Sequence, residues 1–203
     1  MTRLKGAWRF AAGNFVVFLA IHCAASAPTT APYGVDLDGR PVPLAQSTGP
    51  AIVLFFTATD CPIANRYEPE MLRLEREFAL TGIAFWWVYP NPEDTAEKIR
   101  RHQSQFGGST HIIRDTQQSL VQIAHVKLTP EAAVFVPSSG MLREIYVGRI
   151  DDRYISLGQE RPHANHYELD EAIAALLAKR PILKPGGPPV GCSIVPLEAS
   201  NQP

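Results

Sequence analysis

The stretch Ile52-Val53-Leu54-Phe55-Phe56-Thr57-Ala58-Thr59-Asp60-Cys61-Pro62-Ile63-Ala64-Asn65-Arg66-Tyr67 decides the reading of this chain. Residues 51–56 are a continuous apolar run, as a strand covered on both faces requires. A polar turn, 57–60, follows. From Cys61 onward Tyr67, Met71, Leu74 and Phe78 recur at three- and four-residue spacing, while Glu70, Arg73, Glu75, Arg76 and Glu77 fill the opposite face. The order predicts a thiol on the first turn of a helix, just past the carboxyl end of a buried strand. A helix N-terminus carries unpaired N–H groups and about half a positive charge, and both favour thiolate over thiol. Pro62 fits there, because the first helical turn needs no donor at that position. The plainer alternative is a small buried hydrophobe, since free cysteine is among the most buried residue types. Placement beside Thr59, Asp60 and Pro62 favours the reactive reading.

Outward from this stretch, Gly82 ends the helix and residues 83–89 form a second apolar strand. Asn91-Pro92-Glu93-Asp94-Thr95 starts another helix, to about residue 106, with acids in its first turn. A short strand at 111–114 and a short helix at 119–125 follow. Strands 132–137 and 141–147 are joined by a Ser138-Ser139-Gly140 turn, and a last helix spans 167–179 with Leu169, Ile173, Leu176 and Leu177 inward. Residues 33–44 read as a hairpin around Asp38-Gly39, with Val35, Leu37 and Val42 as its apolar members. The order β-α-β-α-β-α-β-β-α predicts parallel strands with helices on both faces and an antiparallel hairpin at the edge.

The chain has 203 residues, 45% of them hydrophobic, which suits one domain with extensions. A net charge of −1 with scattered Lys and Arg points away from a nucleic-acid surface. The N-terminus has the three-part export pattern: Arg3, Lys5 and Arg9, an apolar centre at 15–21, and small residues at 24–27. Its apolar centre is short of what a clear transmembrane span needs. Ala25-Ser26-Ala27 has the small-x-small form, with cleavage expected near 25–27. Cys23 offers a lipid-anchor alternative, against which His22 occupies a position that calls for a small residue; an uncleaved anchor is the third reading. In each case the domain lies outside the cytoplasm, periplasmic or extracellular. The expected organisation is a signal at 1–27, a domain at 33–180 and a Pro/Gly-rich tail at 181–203. Of three cysteines, Cys61 and Cys192 remain once the signal is removed, in a compartment where disulfides persist. There is no Cys-x-x-Cys; Ala64 stands where a second cysteine would.

Four motifs carry a resemblance: Thr59-Asp60-Cys61-Pro62-Ile63-Ala64-Asn65-Arg66-Tyr67, Thr129-Pro130-Glu131, Gly148-Arg149-Ile150-Asp151-Asp152-Arg153-Tyr154, and Gly191-Cys192. From about residue 33 to 192 the chain resembles the redoxin branch of thioredoxin-like proteins, the alkyl hydroperoxide reductase/thiol-specific antioxidant group, and in particular its exported bacterial redoxin-domain members. The resemblance implies a three-layer α/β/α sandwich with a mixed central sheet and a C-terminal antiparallel hairpin. It implies Cys61 as the catalytic thiol and Pro130 as a cis-proline facing it. Two departures count against peroxide reduction. Ala58, flanked by Thr57 and Thr59, stands where a peroxiredoxin has Thr or Ser, and Thr129-Pro130 replaces an arginine. Arg66 and Arg149 are the candidate substitutes.

The expected activity is that of a thiol-dependent oxidoreductase acting on disulfides or peroxides through Cys61, giving a mixed disulfide or a sulfenic acid. Helix-end amides with the Thr57 and Thr59 hydroxyls would stabilise the thiolate, Asp60 would oppose it, and Pro130 would shape the partner groove. Cys192 lies in Pro188-Pro189-Val190-Gly191-Cys192-Ser193-Ile194-Val195, an apolar stretch in a loose tail, and reads either as the resolving partner or as an apolar plug. Asp151-Asp152 reads first as a solvated turn paired with Arg149 or Arg153, with a proton acceptor or metal site as alternatives. His163 and His166 are too few for a structural metal. No metal or cofactor is expected. Expected partners are a thiol or disulfide protein or a small peroxide, with an external thiol reductant; membrane contact is expected only through an uncleaved signal. A redox-inactive binding or assembly module is the competing class, told apart by the pH dependence of Cys61 alkylation.

Overall fold

Strand β1 (Ile52–Phe56) forms where the apolar run predicts it, and all five residues are buried. Successive side chains alternate between faces: Val53 and Phe55 enter one core cluster, Ile52, Leu54 and Phe56 the other. The computed structural model describes residues 2, 33–106, 108–109, 111–182 and 187–197. The export segment and Cys23 lie outside the described residues.

After β1 come α1 (Pro62–Glu77), β2 (Ala84–Tyr89), α2 (Ala96–Phe106), β3 (Ile112–Arg114) and α3 (Ser119–Ala124). Next are β4 (Leu128–Thr129), β5 (Glu131–Ser138), β6 (Met141–Gly148), β7 (Tyr154–Ser156) and β8 (Gln159–Glu160). Helix α4 (Glu168–Leu177) and β9 (Cys192–Ser193) complete the order. The main sheet runs β3-β2-β1-β5-β6. β1, β2 and β3 are mutually parallel; β5 lies antiparallel to β1, and β6 antiparallel to β5. This is the mixed sheet with an antiparallel edge that the element order implies.

Three helices cover one face. Tyr67, Met71 and Leu74 of α1, Ile99 of α2, and Leu169, Ala172 and Ile173 of α4 pack on Val53, Phe55, Trp87, Ala132 and Val134. Each such side chain contributes roughly 1.5–3 kcal/mol on full burial. The other face is covered more thinly, by Leu120 and Ala124 of α3, by Val42 and Leu44, and by Ile194 from the tail.

Several local expectations change. Residues 33–44 double back around Asp38-Gly39 as expected, but only as a minimal hairpin, with Asp36 N–H on the Arg40 carbonyl at 2.8 Å and Val42 N–H on the Gly34 carbonyl at 3.1 Å. Val35 makes single bridges to Pro41 and to Arg114. The Asp36 carboxylate accepts the N–H groups of Asp38 and Arg40, both at 2.8 Å, and braces the turn. Pro41 and Pro43 lack the donors a second strand would need. Helix α1 ends at Glu77; a 3-10 turn, Ala79–Thr81, and Gly82 at φ 79° finish it. Residues 91–95 stay outside α2, since Asp94 and Thr95 bond back to the Asn91 and Glu93 carbonyls at 3.0 Å each.

Candidate active site

Cys61 is the N-cap of α1, with Pro62 at the first helical position. Its sulfur accepts the Ala64 N–H at 3.4 Å, and its S–H donates to the Thr129 carbonyl at 3.0 Å. It is fully buried, among Ala58, Ala64, Ile63 and Cys192. The Thr129–Pro130 peptide bond is cis. Thr129 is therefore the residue where the helix start, the cis-proline and the tail meet.

The tail arrives as a strand. β9 pairs antiparallel with β4 in a two-stranded sheet of their own, with Cys192 opposite Thr129. That register sets Cys192 against Cys61, and the two side chains pack together. Both are free thiols. Burial, then the adjacent Cys61 sulfur, then the Asp60 carboxylate push the Cys192 thiol up to about 12. Cys192 thus keeps its proton at neutral pH. Gly191 permits the close approach, because a Cβ there would collide with the Thr129 carbonyl oxygen.

The other sequence candidates are placed as follows. Thr57 is buried at the end of β1, and its hydroxyl has no hydrogen-bond partner among the described residues. Thr59 turns to Asp94, which accepts both its hydroxyl and, at 3.4 Å, its N–H. Arg66 is exposed and pairs with Glu160 at 2.7 Å. The Arg149 Nε donates to Glu168 at 2.8 Å, and its backbone N–H donates to the Gly187 carbonyl at 3.3 Å. Asp151 and Asp152 are buried, not solvated. Asp151 accepts the Tyr67 hydroxyl and the Arg153 N–H, tying α1 to this segment, and burial holds its carboxyl above the usual range. Asp152 accepts the N–H groups of Asn165 and His166 at 2.6 and 3.0 Å. Those bonds use up the two aspartates in holding the loop. Among the described residues, no three His, Cys, Asp or Glu side chains cluster to hold a metal ion.

A second polar group lies on the same helix. Glu68 is fully buried, and its carboxyl oxygens have no well-formed hydrogen bond among the described residues. His102 Nε2 stands 3.3 Å from Glu68 Oε1 and 2.9 Å from Asn65 Oδ1. Gln103 Nε2 donates to the Tyr89 hydroxyl, whose proton then goes to His102 Nδ1 at 3.1 Å. This order leaves Nε2 as the protonated nitrogen of a neutral imidazole. Burial lowers the His102 pKa and pushes Glu68 up to about 8, so Glu68 is a neutral acid at pH 7. Pro69 follows it and cannot donate to the Asn65 carbonyl. The sequence does carry a signal for Glu68: Cys61, Ala64, Glu68 and Met71 share one helical stripe, and an acid on a buried stripe is anomalous.

The model of the AhpC/TSA family matches residues 23–149. No curated protein matches the chain. Among solved structures, an uncharacterized conserved protein from Geobacillus kaustophilus is 25% identical with a TM-score of 0.67, covering 84% of this chain and 91% of its own. A hypothetical protein from Sinorhizobium meliloti 1021 is 21% identical with a TM-score of 0.65, covering 79% and 88%. A thioredoxin-like protein from Aeropyrum pernix, 19% identical with a TM-score of 0.52 and covering 70% and 87%, shares the fold. The family match spans β1, the Cys61 helix start, Thr129-Pro130 and the β5–β6 hairpin, and stops before the tail that brings Cys192 to Cys61. On that match, over more than half its length, the chain belongs to the AhpC/TSA family.

Proposed function

We propose that this chain is a thiol–disulfide oxidoreductase in which Cys61 is the attacking thiol and Cys192 the resolving one. One observation carries the reading: two free thiols, from α1 and from the tail, meet beside a cis-proline at a helix N-terminus. Family membership supports oxidoreductase chemistry. The Cys61 thiolate attacks one sulfur of a protein disulfide. That S–S bond breaks, a mixed disulfide forms, and the other partner sulfur leaves as a thiolate that takes a proton from water. Cys192 then gives its proton to solvent and attacks the Cys61 sulfur, releasing the second partner thiolate. The partner disulfide has become two thiols, and the two thiols of this chain have become one disulfide. An external dithiol reverses that last change. Pro130 and Thr129 form the wall on which the partner lies.

Disulfides fit this site better than peroxides. A peroxide needs polar groups aimed at the sulfur, whereas Thr59, Arg66 and Arg149 are engaged with Asp94, Glu160 and Glu168. We read 33–180 as the catalytic domain and 181–203 as a working tail. The basic, apolar and small-residue regions before residue 28 support export to a periplasmic or extracellular space. The direct test is turnover of a protein disulfide, such as insulin, with an external dithiol. Cys61→Ser should reduce turnover to the uncatalysed rate while circular dichroism stays unchanged. Turnover at the parent rate in that variant contradicts the enzyme and leaves the binding-module reading. Fractionation showing the full-length chain retained in the cytoplasm contradicts export.

A further inference from the structure

We propose that the end of the molecule remote from Cys61 is a membrane-surface site, which takes the anionic head groups of a lipid bilayer and leaves the thiol facing outward. The inference goes beyond the redox reading and does not depend on the chemistry assigned to Cys61.

The topology separates the two ends. β1 starts at Ile52 and delivers Cys61 past its other end. β5 runs back beside β1, with Glu131 opposite Phe56 and Phe135 opposite Ile52. The turn from β5 to β6 therefore lies at the end remote from Cys61. Helix α1 ends there too: Gly82 after it lies against Gly49, where a Cβ would strike the Gly82 carbonyl, and Ala84 N–H bonds the Ala51 carbonyl at 3.1 Å. Helix α4 starts just past the end of β6, with Leu169 N–H on the Ile150 carbonyl at 3.2 Å. It finishes with Leu176 in one groove with Ile145, so it too runs back to the remote end.

Three elements meet at this end, and each carries an exposed apolar side chain there. Leu80, in the turn after α1, is 101% exposed, Met141 at the start of β6 is 67% exposed, and Leu177 at the end of α4 is 38% exposed. Single exposed apolar residues are ordinary; these three share their end with a cluster of cations. Arg143, Lys179 and Arg180 line one open groove of about 440 Å³, over a floor of Ile145, Leu176 and Ile182. No ion pair or side-chain hydrogen bond among the described residues uses these three cations. Glu144 is the one acid lining the groove. Three free cations thus gather on one end of a chain whose net charge is −1. Lys179 and Arg180 also answer the C-terminal dipole of α4. Arg143 stands on a strand, where no such dipole acts.

Cations beside projecting apolar tips match the layering of a bilayer surface, phosphates outermost and acyl chains beneath. A free anion would satisfy the cations and leave Leu80, Met141 and Leu177 without a role. An acidic protein surface would leave the same three tips to be matched separately. With this end on the bilayer, the carboxyl end of β1 points away from it, so Cys61 and the tail strand face the space from which a protein disulfide arrives.

The test uses the full chain with Cys23→Ser, Cys61→Ser and Cys192→Ser. Single cysteines then carry a polarity-sensitive fluorophore: Leu80→Cys or Met141→Cys at the remote end, and Leu157→Cys on the hairpin near Pro62. Each label reports burial of its own position, so insertion of the apolar segment before residue 28 does not imitate the effect. Vesicles of equal parts phosphatidylglycerol and phosphatidylcholine should blue-shift the labels at 80 and 141 and leave the label at 157 unchanged. Combining Arg143→Glu, Lys179→Glu and Arg180→Glu should raise the lipid needed for a half-maximal shift at least about tenfold, with circular dichroism unchanged. Raising salt from about 0.1 to 1 M should weaken the parent's shift in the same direction, with no substitution at the cations. An equal shift on phosphatidylcholine alone, an equal shift in the triple reversal, a shift at 157, or no shift at 80 and 141 overturns the proposal. So does a shift of the same size produced by soluble glycerol phosphate, which assigns the cations to a small anion, or by poly-glutamate, which assigns them to an acidic protein.

Discussion

β1 and β9 are opposite ways of being a strand. β1 has five residues, a neighbour on each side and no exposed surface. β9 has two residues and one two-residue partner, and Ser193 faces solvent. The first is held by side chains on both faces of a sheet. The second and the tail around it are held by a few hydrogen bonds, with Ile194 and Val190 as apolar contacts. Cys61 hangs from the long-paired part and Cys192 from the short-paired part, so the reaction proposed above falls on the seam between them. The difference teaches how a fully buried thiol proposed as a nucleophile can sit in a rigid frame, provided that the short strand covering it opens.

Substitutions on the two sides of the seam should behave differently. Trp87→Ala on the permanent side should cost about 3–5 kcal/mol of global stability, read by denaturant unfolding. A loss under about 1 kcal/mol would mean that the sheet is not the rigid half.

Glu68 belongs to the same half. In the unfolded chain it ionises near 4.5, and in the fold it keeps its proton up to about 8. Between those two values the unfolded state sheds a proton that the native state holds, so stability falls as pH rises through this window and is steady outside it. Glu68→Gln should remove this part of the slope and gain on the parent at pH 8 relative to pH 4.5. Thermal melts across pH check it; parallel profiles for parent and variant would contradict the buried acid.

Ile194→Ala should act on the other side. We expect hydrogen-exchange protection to drop at the Cys192 and Ile194 amides, with the β1 and β2 amides unchanged. Loss of protection throughout the sheet would mean that the tail is part of the global fold and not a separable strap. Arg66→Ala should matter least. Its pair with Glu160 is largely exposed and contributes at most about 1 kcal/mol, and disulfide turnover should stay within twofold or so of the parent. A large loss of turnover would return Arg66 to the reacting sulfur.

What the sequence reveals follows the same division. β1, α1 and the Cys61 cap are local patterns of apolar period and punctuation, and they stand where those patterns put them. Thr129-Pro130 is visible because proline before a strand is a local mark. The pairing of Thr129 with Cys192 is not visible: two-residue strands have no period, and they join positions far apart in the chain. The β7–β8 hairpin escapes for the same reason, leaving Asp151 and Asp152 to read as a solvated turn when they are buried loop-builders. Thr59 reads as a helper of Cys61 because it is adjacent in sequence; its bond to Asp94 depends on where α2 begins. Glu68 is legible after the fact, as an acid on an apolar stripe, but its partner His102 is supplied by a different helix.

The central claim is that Cys61 and Cys192 form one redox pair across the seam. Peptide mapping without reductant, after mild diamide oxidation of the full chain with Cys23→Ser, tests it most directly. The account predicts a Cys61–Cys192 disulfide peptide as the main product, and a Cys192→Ser chain that stalls as a mixed disulfide with its partner. No such peptide, together with Cys192→Ser turning over at the parent rate, would contradict it.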